Sequence, residues 1–250
     1  ALPILVLSAF AGSRLLGRQE LRRLGPHEHS FLPLDDELAA LGWSAATLCA
    51  VHRVPSRYVV DGRIAGSPGN APETGPRPDY SLFRTVVQYG SAKGPMGGVV
   101  YETPPNFNVS GRRPHYLSFT NKVYLSDEVD CHLALLNYSV SGDYAQAAET
   151  RLVFRDASGA HVATETVTVP PYDYASLRLN DVLKSDRRPG IFSIASSTLT
   201  SSLIPLSIAV HRGNGGVTVE HAHPPQEYWM ADRAYVGAMK VRAARHVFGS

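Results

Sequence analysis

The sequence predicts an all-β protein built from two tandem antiparallel β-sandwich units, and three observations carry that prediction. Glycine (21) and proline (18) are abundant, a turn-rich mixture that suits many short strands. No convincing amphipathic helix separates the apolar runs. The third observation is an internal repeat, the mark of a duplicated unit.

The repeat is legible residue by residue. Leu5-Val6-Leu7 followed by Gly12 matches Leu152-Val153-Phe154 followed by Gly159. Leu24-Gly25-Pro26-His27-Glu28-His29 matches Val169-Pro170-Pro171-Tyr172-Asp173-Tyr174, and Leu32, Leu34, Asp36 and Leu38 fall on Leu177, Leu179, Asp181 and Leu183. Further on, the run from Ser81 to Gly90 matches Ile204 to Gly213, Gly97-Gly98 matches Gly215-Gly216, and Pro104-Pro105 matches Pro224-Pro225. The spacing slips only at turns, where a solvated backbone tolerates insertions.

The first unit spans residues 1–107. Its opening apolar run, Ile4 to Ala11, corresponds to Thr150 to Asp156 in the second unit, so it reads as a strand rather than a cleaved leader. Strands near Thr47 to Val51 and Ser81 to Gln88 flank residues 54–79, a Gly- and Pro-rich stretch expected to be a long exposed loop. The second unit spans 108–230. Cys131 to Tyr138 alternates, Glu149 to Arg155 follows, and Ala157-Ser158-Gly159 turns the chain into Val162 to Val169. Pro170-Pro171 stops that ladder, because neither residue has an amide proton. Strands then follow at Tyr174 to Leu179, Gly190 to Ala195, Leu203 to Arg212 and Gly216 to His221, the last after an Asn214-Gly215-Gly216 turn. Roughly seven or eight short strands at spacings of about 10 residues are the pattern of an immunoglobulin-like sandwich. Residues 231–250, with Lys240, Arg242, Arg245 and His246, read as a basic helical tail suited to docking.

The first unit lacks the leading strands that the second has in His115 to Ser139. A sandwich without them exposes backbone and apolar surface that must be covered. The covering element is expected to be Tyr116 to Leu125, Tyr228 to Phe248, a strand from another copy, or chain preceding Ala1. The prediction is a homo-oligomer or close packing between the units.

Composition narrows the function classes. With 24 basic and 22 acidic residues, the net charge of +2 provides no strong pull toward nucleic acid. The 44% hydrophobic content excludes a disordered chain, and the apolar runs are too short to predict a membrane span. Cys49 and Cys131 cannot form a disulfide framework; one bridge between them stays open, and two small buried hydrophobes is the favoured reading.

Gly215, His221, His223 and Glu227 resemble the first metal-binding motif of the cupin family. His221 and His223, two apart on a strand, would face the same way. The resemblance implies a divalent metal held by these three side chains and a metal-dependent enzyme, although Pro224-Pro225 interrupt the segment and a cupin carries a second histidine motif downstream. A second pair, His27 and His29, falls where the repeat has Tyr172 and Tyr174, which favours flat amphipathic side chains over metal ligands there. No Gly-x-Ser-x-Gly elbow accompanies the serines. Asn108-Val109-Ser110 and Asn137-Tyr138-Ser139 satisfy the glycosylation sequon.

Tyr172, Tyr174, Tyr228 and Trp229 lie near strand ends, where they could form a sugar-stacking surface. The expected function is therefore a non-catalytic binding or assembly module, without a cofactor, for a carbohydrate or protein ligand. The competing class is the metal enzyme on His221, His223 and Glu227.

Overall fold

The computed structural model describes residues 3–23, 28–55, 59–60, 63–64, 85–90, 97–101, 117–138, 145–184, 186, 188–198 and 203–221. Strands dominate these residues, and every strand pairing among them is antiparallel. The protein is all-β.

The N-terminal half begins with β1 (Pro3–Ala11), β2 (Arg14–Arg23) and β3 (Leu48–Pro55), hydrogen-bonded in the order β2-β1-β3. From Leu5 to Phe10 every residue of β1 is buried, so both faces of this central strand are covered. On one face Gly17 of β2 lies under Trp43, whose ring occupies the space a Cβ would need. Between β2 and β3 runs a short helix, α1 (Leu34–Ala40), with Asp35, Asp36 and Glu37 in its first turn, where carboxylates complement the helix dipole.

Of residues 54–79, expected as a long loop, 54–55, 59–60 and 63–64 are described and the rest lie outside the described residues. β3 runs on to Pro55, and β4 (Val59–Val60) pairs with β5 (Arg63–Ile64) inside the stretch. A further hairpin joins β6 (Thr85–Tyr89) to β7 (Gly97–Tyr101), and Gly97 lies close against the Val217 carbonyl.

The C-terminal half contains β8 (Leu117–Leu125), β9 (Val129–Asn137), β10 (Ala148–Arg155), β11 (His161–Val169), β12 (Asp173–Arg178), α2 (Leu179–Val182), β13 (Gly190–Thr198), β14 (Ile204–His211) and β15 (Val217–His221). They form two four-stranded sheets, β11-β10-β13-β8 and β12-β9-β14-β15. The alternating pattern of β9 buries Val129, Cys131, Leu133 and Leu135 with Leu152 and Phe154 of β10 and Phe192 and Ile194 of β13. One core drawn from both sheets fits a β-sandwich.

The halves share local features. β1 stands between β2 and β3 as β10 stands between β11 and β13. Both hairpins turn through glycines with positive φ, Gly12 at 58° and Gly159 at 85°, a conformation that costs glycine little. The helices begin at Leu34 and Leu179, the two leucines the repeat aligns. The strand expected at Tyr174 to Leu179 is β12, and α2 begins at the last residue of that stretch. Of Tyr116 to Leu125, one expected cover for the first unit, the described residues Leu117–Leu125 are β8 and pair with β13.

Within the sandwich α2 delivers a buried amide to the β8–β9 turn. Asn180 Oδ1 accepts from the Cys131 N–H at 2.8 Å, and its Nδ2 donates to the Val129 carbonyl at 2.9 Å. Arg188 donates to the carbonyls of Asn180 and Leu183 and so holds the end of this turn. Asn180→Ala would leave a buried donor and acceptor unmatched, each costing about 1–3 kcal/mol. Chemical denaturation of this variant should show a loss of about 2–4 kcal/mol; a loss below about 0.5 kcal/mol, the size of an ordinary surface change, would show that the amide does not hold the turn.

Candidate functional site

The halves meet at a cluster of aromatic rings, and the local sequence explains how its members arrive there. Pro170 and Pro171 end β11, and Tyr172 then reverses the chain with φ of 57°, a left-handed conformation that is costly for an aromatic residue. The Tyr172 N–H donates to the Asn137 carbonyl at 2.8 Å. Asn137 Nδ2 donates in turn to the carbonyls of Gln146, at 2.9 Å, and Val169, at 3.0 Å. One buried asparagine thus ties the end of β9 to two other segments and braces the strained turn.

This turn presents Tyr172 to Phe10 of β1. Their rings stack at 4.5 Å between centroids and 7° between planes. Tyr138, the residue after β9, meets both edge-on, 6.4 Å from Phe10 and 6.0 Å from Tyr172. Leu48 completes the buried cluster, with Ala50 and Leu136 packed against it. Thr47 holds the other side of the joint: its N–H donates to the Phe10 carbonyl at 2.8 Å, and its Oγ1 accepts from the Gly12 N–H at 3.0 Å. A Cβ at Gly12 would sit 3.6 Å from an Asp173 carboxylate oxygen, so the β1–β2 turn runs beside the start of β12.

At the far end of β9 lies a charged group of a different kind. Arg178 grips Asp130 with two hydrogen bonds, Nε to Oδ1 at 2.6 Å and a terminal nitrogen to Oδ2 at 3.2 Å, and reaches Asp181 at 3.0 Å. His132 and Arg212 stand 3.9 and 4.0 Å from Asp130. The Arg178 hydrogen bond, with the surrounding positive charge, holds the Asp130 carboxyl below its usual range. Its charges answer one another, so the cluster is an ion-pair network on an exposed sheet face.

The residues singled out by the sequence fall in different places. Tyr172 is buried and its ring is stacked on Phe10, whereas Tyr174 is exposed. His221 ends β15, opposite Leu206. His223, Glu227, Tyr228, Trp229 and the 231–250 tail lie outside the described residues, as do His27 and the 107/108 unit boundary. Among the described residues no group of three or more His, Cys, Asp or Glu could hold a metal, and no helix is long and apolar enough to cross a membrane. Cys49 and Cys131 are both free thiols. Cys131 Sγ is directed at the Tyr124 carbonyl at 3.3 Å, and burial pushes its thiol up to about 11, which makes it a poor nucleophile. Asn137 is fully buried with its amide engaged, which closes that sequon to a glycan in the folded protein.

Sequence reasoning missed the partnership of Phe10 with Tyr138 and Tyr172. The available signal was the nearly unbroken apolar run of β1, the pattern of a strand covered on both faces.

No protein-family model matches the chain, and no curated protein matches it. Among solved structures it is similar to one titled "Crystal Structure of Thermotoga maritima 1070", at 16% identity over 46% of this chain and 96% of that one, with a TM-score of 0.35. A likeness that loose carries no functional argument.

Phe10→Ala and Tyr172→Ala should each lower stability by about 3–5 kcal/mol, the usual cost of deleting a buried ring. A double-mutant cycle should return a coupling of about 0.5–1.5 kcal/mol or more from the ring pair. Additive losses in that cycle would mean that the rings do not join the halves.

Proposed function

We propose that the chain is a non-catalytic β-sandwich module for binding or assembly, composed of two immunoglobulin-like units derived from one ancestral unit by duplication. The matching strand order around β1 and β10, the matched glycine turns and the helices at Leu34 and Leu179 support the duplication. Within the C-terminal sandwich, β9 pairs with β12 and β10 with β13, as immunoglobulin strands B and E, and C and F, do. The edges depart from that order. β8 lies beside β13, where a G strand would stand, and β14 lies beside β9, where an A strand would stand.

One observation supports assembly above all. β13 has β10 on one side and β8 on the other, whereas β3, its counterpart, pairs with β1 alone among the described residues. An edge strand with unused donors and acceptors is a template for strand addition. In this reading a segment from a second copy takes the place beside β3 that β8 takes beside β13. A carbohydrate-binding version draws on exposed Tyr174 with Tyr228 and Trp229, since Tyr172 is occupied by its stack on Phe10.

Native mass spectrometry should find a homo-oligomer, and hydrogen exchange by NMR should locate its contact. Alternate β3 amides, those turned away from β1, should become protected as protein concentration rises. A monomer at all concentrations, or protection of β3 that ignores concentration, contradicts strand addition between copies.

A further inference from the structure

Opposite faces of the β2-β1-β3 sheet have different neighbours. Trp43 covers the face that carries Gly17 and its cross-strand partner Ala9. The other face carries Phe10, and through Phe10 it is turned toward Tyr172 of the C-terminal half. Residues two apart on a strand share a face, so Ser8 lies on this second face one step from Phe10. Directly across from Ser8 on β2 is Arg18. Opposed residues of an antiparallel pair have Cβ atoms about 5 Å apart and side chains on the same face.

Each contributes one buried polar atom without a hydrogen-bond partner, Ser8 from a buried side chain and Arg18 from a half-buried one. Ser8 is 2% exposed and its Oγ makes no hydrogen bond; Arg18 Nε is buried and likewise unmatched. Arg18 has neither a hydrogen bond nor an ion pair among the described residues. The carboxylate best placed to answer it, Glu20 two residues along β2, is held instead by Arg23 at 3.0 Å. Burying part of a guanidinium without a counter-charge is expensive, as is burying a bare hydroxyl. One oxyanion that accepts from both would answer two such groups side by side on one face.

We infer that Ser8 and Arg18, beside the Phe10–Tyr172 stack, form a binding site for a small organic carboxylate. The guanidinium offers Nε and a terminal N–H as a planar fork matched to the two oxygens of a carboxylate. The Ser8 hydroxyl is the third donor. Phe10, on the same face, and its stack with Tyr172 are the apolar neighbours of the site. No covalent step is involved, and the site is independent of pairing along the β3 edge.

The test is an NMR titration of the Arg18 Nε–Hε signal in the intact chain, assigned by its loss in Arg18→Lys. Sodium acetate, sodium benzoate and sodium phosphate are the probes, with sodium chloride at matched ionic strength as control. Acetate and benzoate should shift the signal saturably and raise the melting temperature with increasing concentration, as any ligand of the native state does. Benzoate should bind more tightly than acetate. Ser8→Ala, a small change in a buried strand that keeps the fold, should weaken carboxylate binding about tenfold, the loss of one hydrogen bond to a charged group. Arg18→Lys should abolish the stabilisation. The proposal is overturned if neither carboxylate produces a saturable shift, if Ser8→Ala binds like the parent, or if phosphate binds more tightly than both carboxylates.

Discussion

The stack of Phe10 on Tyr172 is the contact on which the arrangement of this chain depends. A three-stranded sheet buries little surface by itself and needs a partner for each face. Trp43 lies on one face, and the aromatic cluster supplies part of the other. On the C-terminal side the stack exists because Tyr172 is held in a conformation it would otherwise avoid. The strain is offset by the Asn137 carbonyl and by the ring contacts that the turn makes available. Local strain and long-range packing therefore support each other, which explains why a fully buried asparagine is kept at the end of β9.

Much of the strand layout was legible in the sequence. β9 to β15 lie where alternation, Gly-rich turns and the Pro170-Pro171 stop predict them, because those signals are short-range and each half-buried strand must alternate. The two helices were hidden for a physical reason. Leu32 and Leu34, two apart, imitate a strand, and a helix of 7 residues is too short to display its own period. β2 was hidden too, since Arg14 to Arg23 is rich in charge and only one side of it meets the rest of the sheet.

The candidate sites were harder to read. Tyr172 was recognised as a strand-end aromatic, but nothing in its neighbourhood shows that Phe10, distant along the chain, takes up its ring. Ser8 interrupts an otherwise apolar run, and Arg18 is one basic residue among several in β2. Only the register that sets them opposite each other reveals two unanswered polar groups on one face. The histidine motif is of another kind. Its spacing is plain in the sequence, with His221 at the end of β15 and His223 and Glu227 outside the described residues.

The most direct test of this account is a set of NOE measurements on protein with selectively labelled Phe and Tyr rings. If Phe10 joins the halves, its ring protons should show strong NOEs to Tyr172 and weaker ones to Tyr138, and all three should be lost in one cooperative unfolding transition. Absence of any Phe10–Tyr172 NOE in the folded protein, with both rings assigned, would contradict the joint and the packing of the halves built on it.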